Sequence, residues 1–512
     1  MLTFGLRVLT TLRRTLFATP GSISDRSISA DRQVGAPPRS GIHSQQPFGL
    51  YVAAATEGWE RFSYYGMNAL IMLYMVQALL LPDRITEIDG MDAFRSLLTT
   101  LYGPLSVQAL ASQILGLYAG LIYLTPLLGG YIADRWAGLR STVLAGLVML
   151  TCGHLMMTSD RTFLIALLLL VVGSGLVKGN LSAQVGRLYP KGEQTLRTRG
   201  FSIFAMMVNI GAIAGPLACG AAVQMFGWHS GFGVAALLML LSLAIYIRGA
   251  RHLPDTRCRP AGGGRPALTR GDHGLIGILL AILVVSLFQA VVYCQLFNVG
   301  MVWIEAHVGR ETPLGSIPTP WFASVDALAS IVSAPLLIMM WRAQAVRGRE
   351  PRAMAKIGIG ATLSALHLLL LGLAAHLAGP DKVSPFVLLL VLASAGVAFN
   401  FHWPPLVALM SMGAPEAVNA LMINLAFLTF FLGNVAAGQL GMLYEPLGPS
   451  AFWLLHAGLA GIGALFAFGL NRPIASRLAA AHALERATIS PCIGVNATRR
   501  SGTKPASSSQ LS

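Results

Sequence analysis

The chain has 512 residues, of which 54% are hydrophobic and 11% charged, with a mean hydropathy of +0.65; a soluble domain carries about 25% charged residues. Its net charge of +15 sits mostly in alternate loops and at the two ends, a pattern that gives no case for nucleic acid and makes the lipid bilayer the expected partner. The five cysteines (Cys152, Cys219, Cys258, Cys294 and Cys492) are scattered, with neither metal-ligand spacing nor a disulfide framework.

Residues 1–46 are rich in Arg and Ser, and their opening apolar run is broken by Arg7, Arg13 and Arg14. No clean hydrophobic stretch with a small-residue cleavage site follows, so they read as a cytoplasmic, disordered basic tail. Apolar stretches of roughly twenty residues or more then recur, each long enough to cross a bilayer as a helix. The expected spans are 49–81, 104–133, 140–158, 162–186, 200–225 and 230–248 in a first six-helix bundle over residues 47–248. An acidic loop with Asp83, Glu87, Asp89 and Asp92 separates the first two. Residues 249–272, rich in Pro, Gly and Arg, read as a cytoplasmic linker. A second bundle over 273–471 follows, with spans at 273–306, 320–343, 355–378, 384–411, 417–443 and 449–471, and residues 472–512 form a cytoplasmic tail. The fold class is therefore an all-α polytopic membrane protein, twelve transmembrane helices in two bundles around a central cavity. Arg135 and Arg140, then Arg187, Lys191, Arg197 and Arg199, then Arg342, Arg347, Arg349 and Arg352 fall on one side. Both termini should share that cytoplasmic side of the inner membrane.

The first span carries Glu57, Glu60 and Arg61. On a helix these stand at i, i+3 and i+4 and share a face. Charges within a bilayer cost several kcal/mol unless paired or wetted, so this face should look into protein or a watery cavity. One base neutralises one acid, and the second acid is left able to change protonation, which favours an ion-coupled pathway over a packing pair. Lys178 lies inside the fourth span, about eight residues from its end. That is ~12 Å of helix, of which a snorkelling lysine covers about half, so snorkelling to the surface is the lesser alternative. Pairing with an acid of the first span is the expected arrangement.

The second span ends in Gly129-Gly130-Tyr-Ile-Ala-Asp134-Arg135-Trp-Ala-Gly138-Leu-Arg140, which resembles the signature loop of the major facilitator superfamily. Asp134, Arg135 and Arg140 are the expected gating latch, a matter of fold and silent on substrate. Taken with that loop, the string Glu57-Gly-Trp-Glu60-Arg61-Phe-Ser-Tyr64-Tyr65-Gly66, GSGLVKGN at 173–180 and FSIFAMMVNIGAIAGPL at 201–217 resemble the proton-dependent oligopeptide transporter family. WFASVDALASIVSAPL at 321–336 and PLVALMSMGAP at 405–415 extend the likeness into the second half. The resemblance implies a major facilitator fold and symport of di- or tripeptides with protons by alternating access. It implies a proton-coupling cluster of Glu57, Glu60, Arg61 and Lys178, and a pocket where Arg61, Tyr65, Lys178 and Asn209 meet the peptide's carboxylate end.

This chain also departs from the family. Ala205 stands where a Tyr is usual, Lys178-Gly179-Asn180 where a Lys-Pro-Asn kink is usual, and Cys294-Gln295 where Glu-Gln is usual. The tenth span lacks the expected acid and offers Phe399, Asn400 and His402; Asn400 remains as the polar group to meet substrate. Asp326 stands in the eighth span where the family has Asn, so it is the expected partner of the peptide's ammonium group, with a helix brace as the alternative. His154, His367 and His456 read as packing residues, Trp303 and Trp403 as interfacial or cavity-wall aromatics, and Glu305 as solvated. No phosphate-cradling loop, metal constellation or nucleophile triad is visible, so neither an enzyme, a cofactor nor a metal is expected. The expected partners are protons, small peptides and lipid, with no obligate protein partner. Two other readings stay open. One is a different cargo, such as a modified peptide, an organic acid or a drug moved by antiport; the other is a sensor that binds without transporting.

Overall fold

A computed structural model of the chain describes residues 45–190, 192–255, 270–313, 315–415 and 418–498, with the backbone alone at 270, 271, 420 and 478–498. The expected tail at 1–44, most of the linker (256–269) and the last residues (499–512) lie outside the described residues. Helix α1 (Phe48–Tyr74) starts after Pro47 and runs on into a wider turn at Met75–Leu79. A short helix, α2 (Met91–Tyr102), follows within what the acids marked as a loop. Next come α3 (Val107–Ile132), capped by the Ser106 hydroxyl on the Ala109 amide, α4 (Leu139–Met156), α5 (Phe163–Arg187), α6 (Gln194–Phe226) and α7 (Trp228–Gly249). Gly138 and Gly227 make the tight reversals after α3 and α6 at φ 77° and 86°, a region that only glycine enters cheaply.

The second half holds α8 (Arg270–Phe297), α9 (Val299–His307), α10 (Ala323–Val346), α11 (Ala353–Ala378), α12 (Pro385–Gly413), α13 (Asn419–Gly441) and α14 (Tyr444–Thr498). The seventh span is thus two helices broken at Asn298, and the helix of the twelfth continues well past residue 471. A two-stranded hairpin, β1 (Glu311–Thr312) with β2 (Gly315–Ser316), crosses the loop after α9. Eleven of these helices are long and apolar enough to cross a membrane. The twelfth, α1, carries the three charges and is sheltered between α6 and α7.

Each half buries its own apolar core. In the first, Leu50, Met67, Tyr74, Val143, Leu170, Val177 and Phe232 meet; in the second, Trp303, Leu371, Val391, Phe452 and Trp453 form one cluster and Leu279, Ile357, Leu406 and Met410 another. Trp303 is therefore fully buried against Trp453 and is not an interfacial residue. Glu305 is half-buried and holds Arg310 and Thr319, so it is only partly solvated. Within the first bundle, α1 lies so close to α6 that a Cβ at Gly211 would stand 2.7 Å from the Phe62 nitrogen and 2.9 Å from the Arg61 Cβ. Such close backbone approach is how membrane helices gain packing energy without a hydrophobic drive. It also sets the height of Arg61 on the bundle's inner wall.

The bundles meet along two seams, α3 on α13 and α6 on α10. At the end carrying residues 80–106, hydrogen bonds knit both seams. The Ser112 hydroxyl donates to Asn298 Oδ1 at 2.8 Å, and Asn298 Nδ2 donates to the Ser112 carbonyl at 3.1 Å. Ser324 donates to the Ile213 carbonyl (2.8 Å) and Trp321 Nε1 to that of Leu217 (2.9 Å). On the opposite half of α6, Ala205, Met206, Asn209 and Ile210 are exposed.

Candidate functional site

Halfway along the seams lies a cavity of about 260 Å³. Tyr64, Tyr65 and Asn68 of α1 and Tyr123 of α3 form one wall; Tyr293 and Cys294 of α8, Asp326 of α10, Phe399 and Trp403 of α12, and Phe427 and Phe430 of α13 form the other. A cleft between bundles with few polar groups among many aromatic ones is the usual build of a small-molecule site.

The charged cluster sits behind the α1 wall. Glu57, Glu60 and Arg61 are each more than nine-tenths buried. Glu60 grips the guanidinium with both oxygens: Nη2 donates to Oε1 at 2.7 Å, and Nε donates to Oε2. Glu57 offers one oxygen, Oε1, 3.2 Å from Nε, and its Oε2 is buried without a hydrogen-bond partner. The two acids are therefore not equivalent. Glu60 is fully engaged, whereas Glu57 has a lone buried oxygen, and such a group is costly unless it takes up a proton or a new partner.

Lys178 does not pair with either glutamate in this structure. Its Nζ stands over two ring faces, 5.1 Å from the centroid of Tyr64 and 4.8 Å from that of Tyr123. Cation–π contacts of this kind are worth about 0.5–2 kcal/mol each. Both tyrosines line the cavity, whereas Lys178 itself is not part of the lining. The Arg61 guanidinium packs 5.1 Å from the centroid of the same Tyr64. Tyr65 reaches the cavity directly, edge-on to Tyr64 at 5.1 Å. Asn209 is exposed on α6 and is not part of the lining.

Across the cavity, Asp326 occupies the first turn of α10 and is 6% exposed. Its Oδ2 accepts from the Tyr293 hydroxyl at 2.8 Å, and its Oδ1 is buried without a partner. Its side-chain bond goes to this hydroxyl and not to a backbone N–H. Asn400 is the reverse case. Its amide donates to the Ser330 carbonyl (2.7 Å) and to Ser333 Oγ (3.0 Å), and its Oδ1 accepts from Ser330 (3.2 Å), so it ties α12 to α10 and stays out of the lining.

The three latch residues are also separated. Asp134 is paired with Arg187 at 4.0 Å, joining the ends of α3 and α5, and Arg135 is exposed. Arg140 instead holds the Leu253 carbonyl and lies 4.0 Å from Asp255, fastening the segment after α7. The aromatic wall went unforeseen apart from Trp403. Its signal was present, since Tyr293/Phe297 and Phe399/Trp403 stand at i, i+4 and Phe427/Phe430 at i, i+3, the spacing of one helix face.

Comparisons place this arrangement among known proteins. The POT family model matches residues 140–261. A peptide transporter of Yersinia enterocolitica is 27% identical over 467 residues, covering 77% of this chain and 87% of that protein. A di-/tripeptide transporter of Lactococcus lactis subsp. cremoris is 33% identical over 246 residues, covering 47% of this chain and 45% of that protein. Among solved structures, the peptide transporter POT in complex with sulfate matches with a TM-score of 0.75 and 23% identity over 86% of this chain and 97% of that one. At that identity the likeness speaks for the fold, which is the two-bundle major facilitator architecture.

Proposed function

We propose that this chain, which matches the POT family model over residues 140–261, carries di- and tripeptides across the cytoplasmic membrane together with protons, by alternating access. The single observation that carries the reading is a cavity between two bundles with an acid in one wall and two cations close behind the other. Arg61 lies against Tyr64 and Lys178 over Tyr64 and Tyr123 on one side, and Asp326 stands on the other. A peptide is a zwitterion, and each end needs a countercharge where water is scarce. In this reading Asp326 takes the ammonium. Arg61 and Lys178, with Tyr65, take the carboxylate once they are freed.

The freeing step falls to the glutamates. A proton taken up by the Glu57/Glu60 pair weakens its hold on Arg61, and the guanidinium can then turn to the substrate. Which acid carries the proton is a property of the pair and not of one residue. Because the outer seams are knit and the inner half of α6 is exposed, the structure fits a state closed outward and open inward. Asp134, Arg135 and Arg140 lie at the inner end, where the gate would close in the opposite state. One charge moving down ~150 mV gains about 3.5 kcal/mol, at ~2.3 kcal/mol per 100 mV. At 1.4 kcal/mol per decade that sustains a gradient of a few hundredfold.

Uptake by proteoliposomes under an imposed proton gradient tests this reading. Accumulation of a labelled dipeptide that collapses with the gradient is the expected result. Gradient-driven extrusion would establish antiport instead, and saturable binding with no flux would establish a sensor.

A further inference from the structure

The cavity's charge is one-sided. Among the described residues that line it, Asp326 is the only carboxylate, and none is Lys, Arg or His. The two cations nearby are engaged elsewhere, Arg61 with Glu57 and Glu60 and Lys178 over the faces of Tyr64 and Tyr123. Asp326 itself has a buried oxygen, Oδ1, without any hydrogen-bond partner, and its other oxygen is steadied by Tyr293. Beside it stands a continuous aromatic surface: Tyr293 packs on Phe399 at 5.2 Å, Trp403 on Phe430 at 5.0 Å, and Phe430 stacks on Tyr123 at 5.2 Å. A lone carboxylate beside ring faces is the chemistry that holds an organic ammonium ion, through a charge-assisted hydrogen bond and cation–π attraction. No positively charged side chain stands in the lining to meet an anion.

We propose that this cavity is also a binding site for primary ammonium cations that carry an aromatic or bulky apolar group and no carboxylate. Asp326 takes the ammonium on Oδ1, and the wall of Phe399, Trp403 and Phe430 takes the apolar part. The inference rests on the reading of this cavity as the substrate site, but it does not need a peptide. A carboxylate-free amine leaves the Arg61 and Lys178 contacts undisturbed, whereas a peptide must draw at least one of them out.

Calorimetric titration of the purified full-length protein with phenethylamine, phenethyl alcohol, hydrocinnamate and phenylalanyl-alanine tests this. Phenethylamine should bind and displace the dipeptide. The alcohol and the carboxylate, which share the ring but lack the ammonium, should bind about tenfold or more weakly, the worth of one charge-assisted bond. In Asp326→Asn, phenethylamine should fall to the level of the alcohol, with the alcohol's own affinity kept as the sign of an intact cavity. Failure of phenethylamine to bind overturns the inference, whatever the dipeptide does. Equal binding of the three ring probes to the unmodified protein does so as well, without any variant. Binding of phenethylamine but not of the dipeptide would leave the inference standing and remove the peptide reading.

Discussion

At the scale of single residues, the division of labour between Glu57 and Glu60 carries the first prediction. Glu60 grips Arg61 through both oxygens, while Glu57 keeps one oxygen free. Glu60→Gln should abolish gradient-driven accumulation in proteoliposomes while leaving counterflow exchange partly intact. Full accumulation in that variant would take the cluster out of the coupling step. Lys178 supports a different expectation. Because it rests on Tyr64 and Tyr123 and not on an acid, Lys178→Ala strips no carboxylate of its partner in this state. The loss should be about 1–4 kcal/mol, two cation–π contacts, with folded protein recovered but uptake gone. Thermal unfolding read beside uptake checks both halves, and unchanged uptake would mean that the lysine serves packing only. The acids and the base of α1 were legible because five consecutive positions hold them all. The true contacts of Lys178 were not, since its tyrosines come from two other helices.

At the scale of elements, α3 and α13 pack backbone to backbone along one seam. Gly116 faces α13 so closely that a Cβ would stand 2.7 Å from the Asn434 carbonyl oxygen and 2.8 Å from the Gly438 Cα. Both are backbone atoms and cannot swing aside. Gly116→Val should therefore push the outer ends apart and shift the population toward an outward-open state. Spin labels at Ser159 and Glu445 read that shift as a lengthened distance; an unchanged distribution would show that the seam tolerates the side chain. Two element-level features differ from the sequence reading for identifiable reasons. Helix α2 lies in a segment whose acids dominated, although Met91, Phe94, Leu98 and Leu101 already carry helical spacing. The break at Asn298 has no proline to announce it; its side chain is held by Ser112 on the other bundle, a partner 186 residues away.

At the scale of the whole molecule, orientation remains a matter of charge. The basic loops that hold Arg135, Arg197 and Arg349 share the end opposite the α2 loop, and positive loops stay cytoplasmic. A cysteine introduced at Thr100 should react with an impermeant thiol reagent on intact cells, and one at Arg349 only after permeabilisation. The reverse pattern would invert the molecule and, with it, the direction in which the structure is open.

Membrane character, span order, the two-bundle plan and the charged face of α1 were determined by sequence alone, because each depends on residues close together along the chain. A run of apolar residues must find a bilayer, and charges one turn apart on one helix share a face in any tertiary setting. Tertiary structure alone decided what the cavity is made of. Its wall draws on helices from both halves, and helical periodicity says which residues share a face but not which faces meet. Hence Asp326 could be singled out as an unusual acid, yet its hydroxyl partner Tyr293, 33 residues earlier on another span, could not. Asn400 looked equally well placed in sequence, but packing of α12 on α10 turned it to Ser330 and Ser333 and away from the cavity. Burial fixes which polar groups are satisfied within the protein and which are left to a ligand, and burial exists only once the bundles have assembled.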